Sequence, residues 1–159
     1  MPIKWARFMH TIEHIPPAAG SSEGAREKLP VRRSGPPLAR VLVIDDEENI
    51  RTMVQQMLKR AGYDASSAAD GSEGIRLQRE KPADLVITDL IMPGQEGLET
   101  IMEIRRSFPK TKIIAISGGG HAGVLDFLPI ATQLGALRTL PKPFTHQQLL
   151  ALVKEVLAL

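Results

Sequence analysis

The 159-residue chain contains no cysteine. This excludes disulfides and thiol chemistry and makes a cytoplasmic location the expectation. No apolar run approaches the roughly 20 residues that a membrane-spanning helix needs. Lys4 and Arg7 are not followed by an apolar stretch and a small-residue cleavage site, so no secretory signal is expected. No internal repeat is evident. A basic surface is missing too, despite a net charge of +2. Residues 1–40 carry seven Lys/Arg and three Asp/Glu, whereas residues 41–159 carry thirteen and fifteen. The positive excess therefore belongs to the leader, and nothing on the remainder points to nucleic acid or to a membrane.

What is present is an ordinary globular balance, 43% hydrophobic and 24% charged, distributed unevenly. Pro16, Pro17, Gly20, Gly24, Pro30, Gly35, Pro36 and Pro37 punctuate residues 1–38. Such a segment buries too little apolar surface to offset its ordering entropy, so a loosely packed leader is expected, with at most a short helix near Trp5–Ile12. A domain spans residues 39–159. Within it, apolar runs at Val41–Ile44, Leu85–Ile87 and Ile113–Ile116, with weaker ones at Tyr63–Ala68 and Ala136–Leu140, read as strands. Ile50, Met53, Val54, Met57, Leu58 and Ala61 recur at helical spacing and are closed by Gly62. Further helices are expected over Gly71–Glu80, from Leu98 to near Pro109, over Val124–Gln133 with a disturbance at Pro129, and around Leu149–Val156. The methionines fall mostly on helical faces and read as core. Five strand–helix units alternating in this way predict an α/β fold, a parallel five-stranded sheet covered by helices on both faces.

Open parallel sheets bind ligands beyond the carboxyl ends of their strands, where the strand order reverses. In the order 2-1-3-4-5 this point lies between strands one and three, which end in Asp45–Asp46 and in Asp89. Strand four ends in Ser117, and Lys142 follows strand five. Carboxylates crowded together repel, by about 4 kcal/mol for a pair 4 Å apart at an effective dielectric of 20. A hard divalent cation such as magnesium relieves this repulsion. A lysine and a hydroxyl opposite suit an oxygen-rich anion, and an aspartate can act as the nucleophile of phosphoryl transfer. Asp89, central to the group, is the best candidate.

Four motifs carry a resemblance: VLVIDDEE at 41–48, LVITDLIMPG at 85–94, IIAISG at 113–118 and LPKPF at 140–144. In order and spacing, residues 40–159 resemble the receiver domain of two-component response regulators, with a flavodoxin-like, chemotaxis-regulator-like fold. The resemblance implies that Asp89 is the phospho-acceptor. It implies that magnesium is held by Asp46, Asp89 and the Ile91 carbonyl, with Asp45 acting through water. It implies that Ser117, Gly118 and Lys142 bind the phosphoryl group, and that the Lys142–Pro143 bond is cis. The donor would be a histidine kinase or phosphotransfer protein. Output would pass to a protein partner through the face of residues 122–158, with no attached output domain expected after Leu159, and no catalysis beyond self-phosphotransfer and autodephosphorylation. Two departures stand out. Thr139 occupies the switch position where the family usually has Tyr or Phe. Gly118, Gly119 and Gly120 follow Ser117, so a mobile loop, easy water access and a labile phosphoryl group are expected.

Each residue alone has a plainer reading. Asp45 to Glu48 suit a helix N-terminus, Asp89 a turn before Pro93–Gly94, and Ser117 and Lys142 a strand end and a solvated surface. Their joint placement on four strand ends favours a site. A haloacid-dehalogenase-type phosphohydrolase also uses an aspartate nucleophile and magnesium, but in a D-x-D pattern that Asp45-Asp46-Glu47 lacks. A degenerate receiver acting as a constitutive binding module is the other alternative. The G-x-G-x-x-G match at Gly118–Gly123 follows the wrong strand for a dinucleotide site. His10-Thr11-Ile12-Glu13-His14 matches a zinc pattern but lies in the leader. His121 and His146 read as surface or capping residues.

Overall fold

The computed structural model describes residues 38–93, 96–118 and 127–159. Among them, strands and helices alternate: β1 (Arg40–Ile44), α1 (Glu48–Arg60), β2 (Asp64–Ala68), α2 (Gly71–Glu80), β3 (Leu85–Asp89), α3 (Glu96–Ser107), β4 (Lys112–Gly118), α4 (Leu128–Leu134), β5 (Arg138–Lys142) and α5 (His146–Ala158). The strands form one parallel sheet in the order β2-β1-β3-β4-β5, as the alternation predicts. The expected leader segment with its Trp5–Ile12 helix, the His10–His14 pattern, Gly94, and the loop carrying Gly119, Gly120 and His121 lie outside the described residues.

Strand side chains alternate in direction, and here both directions are apolar. Val41, Val43, Leu85, Ile87, Ile114 and Ile116 pack with Val54 and Leu58 of α1 and with Leu149, Val153 and Val156 of α5. Leu42, Ile44, Val86, Ile113 and Ala115 pack on the opposite face with Ile101 and Ile104 of α3 and Ala131 of α4. Continuous apolar runs are thus what a sheet buried on both faces requires. Fully burying each Val, Leu or Ile contributes about 1.5–3 kcal/mol.

The helix ends follow from local chemistry. Asp70 caps α2 by accepting from the Glu73 amide. Thr145 and Gln148 form a reciprocal capping box at the start of α5, with His146 exposed beside it. Pro129 lies in the first turn of α4, where a missing N–H is harmless, so it opens that helix and does not disturb it. Gly135 ends α4 at φ 121°, a backbone conformation that favours glycine.

Two further expectations need correction. The last strand runs two residues later than Ala136–Leu140, because Pro141 is accommodated on an edge strand. Of the described methionines, Met92 is buried and Met57 packs half-buried against the core, but Met53 and Met102 are exposed. They flank the buried stripes of α1 and α3 and lie outside them.

Gly97 fixes the approach of α3 to the end of β3. A β-carbon there would collide with the carbonyl oxygens of Asp89 and Leu90 and with the Leu90 Cα. These are backbone atoms that cannot turn aside. We expect Gly97→Ala to lower stability by about 1–3 kcal/mol, read as a lower urea midpoint at unchanged slope. An unchanged midpoint would show that α3 can slide away freely.

Candidate functional site

The site is built at the carboxyl ends of β1, β3 and β5. Asp45 directly follows β1, and its amide donates to the Ala68 carbonyl at 3.2 Å, which ties it to the end of β2. Asp89 is the last residue of β3. The amide of Leu90 donates to the Ile116 carbonyl at 2.8 Å, fixing the turn that follows. β1 lies between β2 and β3, so the chain leaves it in opposite directions on its two sides, and a crevice opens there.

Asp45 and Asp89 are 3% and 4% exposed, and each divides its oxygens in the same way. Asp45 Oδ1 accepts from the Glu47 amide at 2.9 Å, and Asp89 Oδ1 accepts from the Ile91 amide at 3.1 Å. The other oxygens face Lys142 at the end of β5. Its Nζ lies 3.0 Å from Asp45 Oδ2, 3.2 Å from Asp89 Oδ2 and 3.5 Å from Glu47 Oε1. Carboxylate oxygens of Asp45, Glu47 and Asp89 all lie within 4.8 Å of one another. At that separation and an effective dielectric of 20, two unit charges repel by about 3 kcal/mol.

Burial pushes the Asp89 carboxyl above the ordinary aspartate range; Lys142 and the Ile91 amide pull it back, and Asp45 pushes it further up. Burial alone would lower the Lys142 ammonium, but Asp89 and Asp45 outweigh it and hold that group above its ordinary value. The acceptor candidate is thus a carboxylate whose charge the fold tolerates only in part. The lysine stays protonated.

The sequence-predicted residues are distributed unevenly around this centre. Asp45, Asp89 and Lys142 meet directly. Ser117 is buried and Gly118 exposed at the end of β4, paired in register with Pro141 and Lys142. A β-carbon on Gly118 would meet nothing within 4 Å. Thr139 is partly buried and pairs with Ala115, three residues before Lys142. Ile91 is exposed, with its amide bound to Asp89. Asp46 is exposed and stands outside the carboxylate cluster, where Glu47 lies instead. Glu47 was missed as a site residue. The available signal was its place in an acidic run directly after the first strand. The Lys142–Pro143 bond is cis, as the resemblance implies.

A cavity of about 550 Å³ opens at the opposite pole, lined by Leu38, Arg40, Asp84, Lys110, Lys112 and Leu157 among others. Lys112 there donates to the Leu157 carbonyl at the end of α5, and Arg40 pairs with Asp64. Lys112 thus sits at the C-terminus of α5, where a cation is favourable.

Three carboxylates and no sulfur or imidazole form an all-oxygen donor set that fits magnesium or a similar hard cation. A doubly wound parallel sheet with this cluster at its switch point, and a lysine bridging two buried aspartates, defines an α/β module equipped for a cation and an anion side by side. Residues 41–154 match the response regulator receiver domain family, and the chain belongs to that family. It is a receiver domain of two-component systems, a phosphorylation-controlled signalling module. The chain is 34% identical over 119 residues to the DNA-binding transcriptional regulator NtrC of Azospirillum brasilense, covering 75% of this chain and 24% of that protein. A response regulator receiver domain protein of Clostridium thermocellum superposes with a TM-score of 0.69 at 33% identity, covering 76% of this chain and 95% of that one. The chemotaxis protein CheY4 of Vibrio cholerae does so with a TM-score of 0.68 at 30% identity, covering 75% and 98%. The family match favours a receiver over the small-molecule phosphohydrolase. Among the described residues, no helix is long and apolar enough to cross a membrane.

Proposed function

We propose that Asp89 accepts a phosphoryl group from the phosphohistidine of a histidine kinase or phosphotransfer protein in the cytoplasm, and that output passes to a protein partner. The observation that carries this is the bridging of two buried aspartates, Asp45 and Asp89, by one protonated lysine at the switch point. In the transfer, an Asp89 Oδ forms a bond to phosphorus as the donor's N–P bond breaks, and the departing imidazole nitrogen takes a proton. Asp89 Oδ1 is oriented by the Ile91 amide. Asp45, Asp46, Asp89 and the Ile91 carbonyl make up the magnesium set, Asp45 through water. The bound cation would neutralise charge on the transferring group. Lys142 then exchanges its carboxylate partner for a phosphoryl oxygen, and Ser117 and Gly118 supply a hydroxyl and an unobstructed strand end.

Adding close to two negative charges at a buried carboxylate favours rearrangement of the adjoining strand ends. On the 122–158 face, residues 122–126 lie outside the described residues. Ile130 and Leu137 are exposed on the rest of it, 39% and 37%, and offer a partner apolar contact. With Thr139 in place of an aromatic residue, readout there depends on Lys142 and Ser117 at the strand ends. As the chain spans only 24% of the length of the transcriptional regulator NtrC, we take no DNA binding from it.

Incubation with acetyl phosphate and magnesium should add one phosphoryl group to the intact mass, removable by hydroxylamine as expected of an acyl phosphate. An unchanged mass at saturating phosphodonor contradicts the proposal.

A further inference from the structure

Glu47 stands at the N-cap of α1, with extended φ and ψ of −78° and 106°, yet its side chain makes no capping hydrogen bond. Glutamate is not among the favoured N-cap residues, which are Ser, Thr, Asp and Asn. Its backbone amide is held by Asp45 Oδ1. That bond fixes the start of the side chain beside the crevice, and Oε1 ends 3.5 Å from Lys142 Nζ. The carboxylate thus joins Asp45 and Asp89 within 4.8 Å. The burial is graded: the side chains of Asp45 and Asp89 are 4% and 3% exposed, and that of Glu47 is 63% exposed. Glu47 is the solvent-facing member of the cluster.

The charges make the same point. Within the cluster, the carboxylates of Asp45, Glu47 and Asp89 outnumber the Lys142 ammonium, an excess of negative charge that a divalent cation would offset. We propose that Glu47 is a further carboxylate for that cation, closing the coordination from the solvent side. This inference rests on the reading of the crevice as a cation-assisted phospho-acceptor site and adds to it a ligand outside the expected set. Three carboxylates, one on a flexible arm, also suit an ion somewhat larger than magnesium, such as manganese.

The test is manganese titration of the full chain, followed by the loss of the free-ion paramagnetic resonance signal, with no phosphodonor present. Glu47→Gln should weaken manganese binding about fivefold or more, as loss of one anionic oxygen ligand from such a site would. Glu48→Gln, one residue along in the same exposed run, should stay within about twofold. The same comparison in a Lys142→Met background separates coordination from an effect transmitted through the lysine, and the Glu47→Gln loss should persist there. A Glu47→Gln affinity within twofold of wild type, or a loss that vanishes without Lys142, overturns the inference while leaving the site intact. Failure of the wild type to bind manganese overturns the underlying reading as well. Circular dichroism of each variant checks that it is folded.

Discussion

Replacing Asp89 with Asn is expected to abolish phosphoryl acceptance and, in the absence of a divalent cation, to raise the melting temperature by roughly 2–5 °C. Both effects come from one carboxylate. Asp89 is 4% exposed, and burial holds its carboxyl above the ordinary aspartate range even after the pull of Lys142 is counted. A raised folded-state value means that the fold binds the proton more tightly than the unfolded chain does. Its stabilising contribution is fully present below the unfolded value and is lost as pH rises through the folded one. At neutral pH the charged Asp89 therefore works against the fold, and the neutral amide removes that cost while keeping the shape. The gain should shrink as pH falls below the ordinary aspartate range, where the wild-type group is protonated in both states. Thermal melts of both proteins across pH 3–7 check this. A variant that melts below wild type at neutral pH would show that the ion pair with Lys142 outweighs burial.

Replacing Lys142 with Met is expected to have the opposite sign. The lysine side chain is 15% exposed and contacts Asp45, Glu47 and Asp89. Removing it leaves two buried carboxylates without their shared counter-charge, and truncating one partner of a buried pair costs about 3–5 kcal/mol. Partial exposure and the exposed Glu47 reduce this here to about 2 kcal/mol. Urea denaturation without divalent cation should show the loss. Added magnesium should recover more stability in the variant than in wild type, because the cation takes over a charge the lysine no longer supplies. Equal responses to magnesium would mean that the lysine and the cation do not share the same carboxylates.

Much of the fold was legible because burial on both sides of a sheet leaves a simple mark. Val41–Ile44, Leu85–Ile87 and Ile113–Ile116 are uninterrupted apolar runs, and each became a central strand. The acids that terminate them, Asp45 and Asp89, were legible for the same reason, since a charge at the end of such a run has to lie at the sheet's rim. Edge features were less so. β5 carries Pro141 and only one buried residue, Leu140, so its period is weak and its limits slipped by two residues. Met53 and Met102 share a helical face with buried neighbours, and spacing alone does not tell the centre of a stripe from its margin. Gln78 shows the converse. It reads as a polar helix residue but is fully buried, donating to Thr111 at 2.8 Å and to the Ala83 carbonyl at 3.2 Å. Only the tertiary fold brings Thr111 to it. Within the site, adjacency in sequence pointed to the pair Asp45–Asp46; Asp46 is exposed, and Glu47 is the neighbouring acid whose oxygen lies with those of Asp45 and Asp89. A choice between neighbouring acids depends on backbone direction at one residue, and composition does not record it.

The central claim is that Asp89 carries the phosphoryl group, and reductive trapping tests it most directly. The chain is incubated with acetyl phosphate and magnesium, reduced with borohydride, digested and mapped by mass spectrometry. An aspartyl phosphate is reduced to homoserine, so homoserine in place of Asp89, and only in the sample that received both phosphodonor and magnesium, is the predicted result. Homoserine in place of Asp45 or Asp46, or none at any carboxylate, would contradict it.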